Sequence, residues 1–178
     1  MTPFHLKSAA AAAAVSVSLA LLSPLARADD AYAGVSLGAP HFGQGINGVS
    51  GNDHGVAGKI YGGYQLSPNF ALEAGLASLG RLKGDAGSVS AHGEFIDLVG
   101  RLPLGHDISL LGSVGAAHVR FSSPDGHDAG GGLKLGLGAE YALSPSTTLR
   151  AEYEHYRTSA FDEHPAVGQM TVGLRFGF

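Results

Sequence analysis

Cysteine is absent from the 178 residues, which removes disulfides and thiolate metal sites together. Nothing after residue 28 approaches 18 consecutive apolar residues, so no helix of the mature chain can cross a membrane. Bases are also scarce. Eleven Lys and Arg stand against 15 Asp and Glu, the reverse of the balance a nucleic-acid surface needs. Glycine, in contrast, is abundant. Its 28 copies favour turns and closely packed strands over helices.

The one long apolar run lies at the N-terminus, over residues 9–22 behind the weakly basic "MTPFHLK". It falls short of the roughly 20 residues that span a bilayer. The small-x-small triplet Ala26-Arg27-Ala28 follows closely, so residues 1–28 read as a cleaved signal peptide rather than an anchor. Loss of Lys7 and Arg27 leaves nine bases against 15 acids, a mature net charge of −6. Residues 29–178 then form one domain.

That domain contains eight extended segments, at about 31–38, 56–66, 70–79, 92–102, 108–120, 132–143, 148–157 and 168–178. Their connections alternate. "SPN", "PLGHD" and "SPST" are tight turns. The stretch 39–55 and the connections of about ten residues between the third and fourth, fifth and sixth, and seventh and eighth segments are long and polar. Alternating short and long connections are the layout of an up-and-down antiparallel barrel, found in outer-membrane proteins and in soluble eight-stranded barrels alike.

The two faces of each strand separate those cases. Leu133, Leu135, Leu137, Ala139, Tyr141 and Leu143 alternate with Lys134, Gly136, Gly138, Glu140 and Ala142. The last strand sets Met170, Val172, Leu174, Phe176 and Phe178 against Gln169, Thr171, Gly173, Arg175 and Gly177. Glycine crowds the charged face, as a narrow lumen requires. The apolar face carries Tyr64, Phe70, Tyr141, Tyr153, Phe176 and Phe178, mostly near strand ends where an aromatic girdle sits. The expectation is an all-β, eight-stranded, antiparallel up-and-down transmembrane β-barrel with charges inside. "ISLLGSVGAAHV" fits either register.

On this reading the lumen holds five bases (Lys59, Arg101, Lys134, Arg150 and Arg175) and five acids (Glu73, Asp97, Glu140, Glu152 and Glu154). Charges in a poorly hydrated interior must pair. Equal numbers therefore predict a network that plugs the barrel, with a gated ion path as the alternative. Histidine is concentrated toward the outer loops. His41, His54, His127 and His164 are candidate metal ligands, although no tight His-x₃-His spacing supports a Zn²⁺ or Cu²⁺ site. No cofactor is expected.

The segments "YQLSPNFALEA" and "YALSPSTTLRA" share Tyr, Leu, Ser, Pro, Leu and Ala at matching places, and "LRAEYEHY" and the aromatic last strand accompany them. With these markers the chain resembles the OmpA-type transmembrane domain and the small OmpX- and opacity-protein-like barrels. The resemblance implies a monomer in the outer membrane, with loops outside and termini in the periplasm. It also implies contact with membrane lipid and lipopolysaccharide, and with host surfaces or phage through the loops. A terminal aromatic strand implies that Phe176 and Phe178 signal to the outer-membrane assembly machinery. The peptidoglycan-binding domain of full-length OmpA proteins is not expected in this chain. Some barrels of this size are lipid A-modifying enzymes, with a Ser two residues after a His in the deacylase type. Here His155 is followed by Tyr156 and Arg157, and His118 by Val119 and Arg120. No nucleophile is expected.

Overall fold

The computed structural model describes residues 30–42, 52–85, 87–123, 126–159 and 166–178, with backbone alone at 52–54. Residues 1–28, expected to be a cleaved signal peptide, lie outside the described residues. Nine ladder segments follow one another: β1 Ala31–Phe42, β2 Asn52–His54, β3 Ala57–Ser67, β4 Phe70–Gly84, β5 Gly87–Gly105, β6 Ile108–Ser123, β7 Gly126–Ala142, β8 Thr147–Thr158 and β9 Ala166–Gly177. Both β2 and β3 pair with β4 and are separated only by Gly55 and Val56, so together they make one stave. Eight staves result. The first strand pairs with both β3 and β9, and β4 pairs with β5, so the antiparallel sheet closes on itself. Closure gives each of the eight staves a paired neighbour on both sides, which is the condition for a sheet to sit in lipid.

Polar side chains and left-handed backbone make the short turns. Ser67 Oγ accepts the Phe70 N–H at 3.1 Å, and Ser144 Oγ accepts the Thr147 N–H at 3.0 Å. Between β5 and β6 only His106 and Asp107 remain, at φ of 51° and 65°. Two successive positive-φ residues match the twist of the flanking strands in a two-residue hairpin.

The side-chain distribution is the inverse of a soluble barrel. Leu137 is 70% exposed and Met170 62%, whereas Lys134 and Glu154 are fully buried. Outward apolar rows need a lipid solvent. Tyr64, Phe70, Tyr141, Phe176 and Phe178 ring the turn end of the exterior. The register of β6 is settled: Leu111, Ser113, Ala117, Val119 and Phe121 point inward, and Leu110, Val114 and Ala116 outward. Inward glycines make room for large rings. A β-carbon on Gly34 would overlap the Tyr61 ring, and one on Gly63 the Tyr32 ring.

Two features differ from the sequence expectation. The long connections after β4 and β6 are mostly strand: β5 has 19 residues and β7 has 17, against the 9–11 or so that span a membrane. These hairpins therefore project beyond the bilayer. Secondly, β4 is bulged. Leu79 and Gly80 stand where β5 has only Ala91 between its paired residues, and Gly80 takes φ +78°. The extra residue reverses the alternation, so Leu82 points inward while Arg81 and Lys83 face outward.

Candidate functional site

The ten charged residues assigned to the lumen all lie on the inward face, and the ladder gives each its height. Toward the turn end, Glu140 receives three arginines. Arg101 Nε donates to Glu140 Oε2 at 2.8 Å, Arg150 Nε to Oε1 at 2.8 Å, and Arg175 Nε lies 3.2 Å from Oε1. Arg150 also reaches Glu73 at 2.7 Å through Nη1. Glu73 and Arg150 occupy the matching position of the two similar segments around "LSP", so the repeat places opposite charges at equivalent inward sites. The Tyr32 hydroxyl donates to Glu73 Oε1 at 2.8 Å.

A second group lies higher. Lys59 Nζ donates to Glu152 at 2.7 Å and to Glu154 at 2.9 Å. Lys134 Nζ lies 2.6 Å from Glu154 and bonds Asp97. The two groups meet where Arg150 Nη1 comes within 3.6 Å of Glu152. Aromatic faces wrap the cations: Lys134 sits 4.5 Å from the Phe95 ring centre, and Arg150 4.9 Å from that of Tyr61. Such contacts strengthen where water is excluded. Gln169 completes the upper group by donating to Glu154 at 2.6 Å.

Above the charges the lumen changes character. Along the same inward rows follow Leu79, Leu82, Val89, Val119, Phe121, Tyr156 and Val167, each at most 2% exposed. The projecting hairpins thus enclose an apolar core that caps the charged interior. Sequence reasoning missed this cap, together with Tyr32 and Phe95.

Of the four candidate metal ligands, only the side chains of His41 and His127 are among the described residues. His127 is exposed on β7 and His41 near the end of β1; the His54 side chain and His164 lie outside the described residues. Among the described residues no group of three or more His, Cys, Asp or Glu could hold a metal ion. Phe176 and Phe178 are exposed at the turn end, and the Phe178 N–H donates to Ala31 O at 3.1 Å, fastening β9 to β1.

Comparison with known proteins gives the same architecture. Outer membrane protein P5 of Haemophilus influenzae is 30% identical over 193 residues, covering 83% of this chain and 54% of that protein. Outer membrane protein A of Salmonella typhi is 27% identical over 191 residues, covering 94% and 55%. The chain spans about half the length of these relatives. Among solved structures, Neisserial surface protein A superposes with a TM-score of 0.66 at 15% identity, over 83% of this chain and 97% of that one. Ail, the attachment invasion locus protein of Yersinia pestis, gives 0.59 at 17% identity, over 84% and 99%. The family model of the OmpA-like transmembrane domain matches residues 26–177, and the chain belongs to that outer-membrane family.

Proposed function

We propose that the protein is a closed outer-membrane scaffold that presents its projecting hairpins for contact at the cell surface, and that it contributes to envelope integrity. The observation that carries this reading is the apolar core above the charged lumen. Hairpins packed around Leu82, Phe121 and Tyr156 are held as an ordered extension, whereas unpacked loops are not. Surface contact is the natural use of ordered segments beyond the membrane. Complementing a deletion strain with chains shortened at the β4–β5 and β6–β7 hairpins tests it. Shortened chains should restore resistance to detergent stress and lose attachment to host cells. Attachment at the parental level would overturn the surface-contact role.

The last strand carries a second part of the proposal. Phe176 and Phe178 serve as the signal by which the assembly machinery takes the chain into the outer membrane. Burying a Phe is worth only about 1.5–3 kcal/mol, so a lipid contact alone should affect folding in detergent and assembly in cells to the same degree. Changing Phe178 to Ala should instead lower outer-membrane levels severalfold and leave refolding of pure protein nearly unchanged. Equal losses in the two assays would reduce Phe178 to a lipid contact.

A further inference from the structure

Of the five glutamates among the described residues, four point into the lumen and Glu94 alone points outward. It continues a row of exposed apolar side chains, Val35, Ile60 and Leu76, and the ladder pairs it onward with His118. A carboxylate on the lipid-facing wall is costly unless it finds a partner. Within its own wall that partner is Arg120, whose Nη2 lies 3.4 Å from Glu94 Oε1 with both side chains more than half exposed. A pair this exposed is weak.

The wall on either side of this pair is uneven. On the β4 side, Gly58 and Ser78 are small, and Leu37, Ile60 and Leu76 border a groove of about 600 Å³. On the β7 side, Leu133 stands half exposed. The ladder relates their heights. Followed both ways round the barrel from Ser36, the pairing reaches Gly93 and Pro103 of β5, ten residues apart. Rows therefore climb toward the outside by just over one residue per stave on the way from β4 to β7. Leu133 shares a row with Ala116, Ile96 and Ala74. The climb over three staves brings it level with Ser78.

We propose that a second copy of this chain docks on this wall, in place of the monomer that the family resemblance implies. Copies in one membrane share an orientation, so a two-fold axis relating them runs along the membrane normal and facing residues stand at equal heights. With the axis between β5 and β6, Glu94 of each copy faces the partner's Arg120 and the partner's His118. Each carboxylate then lies between two guanidiniums, and each guanidinium between two carboxylates. The same rotation sets Leu133 against the partner's Ser78, a large side chain into the hollow beside a small one. Charge and shape thus select the same axis. Close packing at small residues and polar contacts across the interface are what hold transmembrane segments together in lipid.

Because the chain has no cysteine, single introduced thiols report contacts in intact outer membranes. Ala116 points outward on β6 beside the proposed axis, so Ala116→Cys should give a disulfide-linked dimer under mild oxidation. Val172→Cys, on β9 across the barrel, should not. In the Ala116→Cys background, Glu94→Arg and Arg120→Glu should each lower the dimer yield roughly tenfold, since like charges then face each other. Co-expressed, the two variants should cross-link to each other at the parental level, because one supplies only bases and the other only acids. A pair confined to one chain gives no such recovery. Ser78→Phe, which fills the seat of the partner's Leu133, should lower the yield as well. It carries the test if a charge variant lacks the folded mobility in unboiled gels. Equal cross-linking through Ala116→Cys and Val172→Cys would overturn the interface. So would an unchanged yield in Ser78→Phe, or no recovery in the mixture of folded charge variants.

Discussion

Replacing Arg150 with Leu should cost the barrel about 3–5 kcal/mol, the range for breaking a buried charge network by removing one partner. Arg150 is 1% exposed and holds Glu73 and Glu140 at 2.7 and 2.8 Å, with Glu152 at 3.6 Å. Its loss leaves Glu73 with no cation within salt-bridge distance among the described residues, supported only by the Tyr32 hydroxyl. Glu140 suffers less, because Arg101 and Arg175 remain beside it. The damage should therefore centre on Glu73, and adding Glu73→Gln to Arg150→Leu should recover part of the stability. Tryptophan is absent, so the folded fraction is best followed by the mobility difference between unboiled and boiled samples across a urea titration. An unshifted midpoint for Arg150→Leu would remove this residue from the energetic centre of the lumen. Equal midpoints for the single and double variants would show that the Glu73 charge is not what the arginine neutralises.

The sequence made the membrane-spanning part of the fold legible because two unlike solvents meet there at a spacing of two residues. Leu149, Ala151 and Tyr153 face lipid while Arg150, Glu152 and Glu154 face a crowded lumen, and the glycines on the charged face tell that lumen from the open exterior of a soluble barrel. Beyond the bilayer the pattern inverts. Tyr156 continues the inward phase of Arg150 and Glu152 but belongs to an apolar core, and Arg157 continues the outward phase of Tyr153 but meets water. A strand whose faces exchange chemistry midway looks like a strand that has ended. That is why β5 and β7 read as shorter than they are.

The bulge hid the outward turn of Arg81 and Lys83 for a related reason. In "LASLGRLKG" the inward residues Leu79 and Leu82 are three apart, and the only sign of the change of phase is the glycine between them. The pairing of individual lumen charges was not legible. Alternation assigns a face, whereas the partners of Glu140 come from β5, β8 and β9 and depend on the stagger of the closed barrel.

The pure protein should show no conductance steps of porin size in planar bilayers, because two different barriers lie in series along the lumen. In the lower barrier, an ion must displace Lys59, Lys134 or Arg150 from carboxylates within about 3 Å of them, each exchange exposing a buried charge. In the upper barrier it meets the side chains of Leu79, Leu82 and Phe121, which offer no ligand to replace its hydration shell, with the Tyr156 ring beside them. Apolar constrictions close pores by excluding water. Breaching one barrier should therefore leave the lumen shut. Arg150→Ser alone, and Phe121→Ser with Tyr156→Ser alone, should both stay silent, while the three substitutions together should give stable unitary currents from protein whose gel mobility shows it folded. Steps from the parent would remove both barriers as closures. Currents from Arg150→Ser alone would show that the apolar cap does not seal, and currents from the cap variant alone would show that the ion pairs do not. Silence of the combined variant would place the closure elsewhere in the lumen.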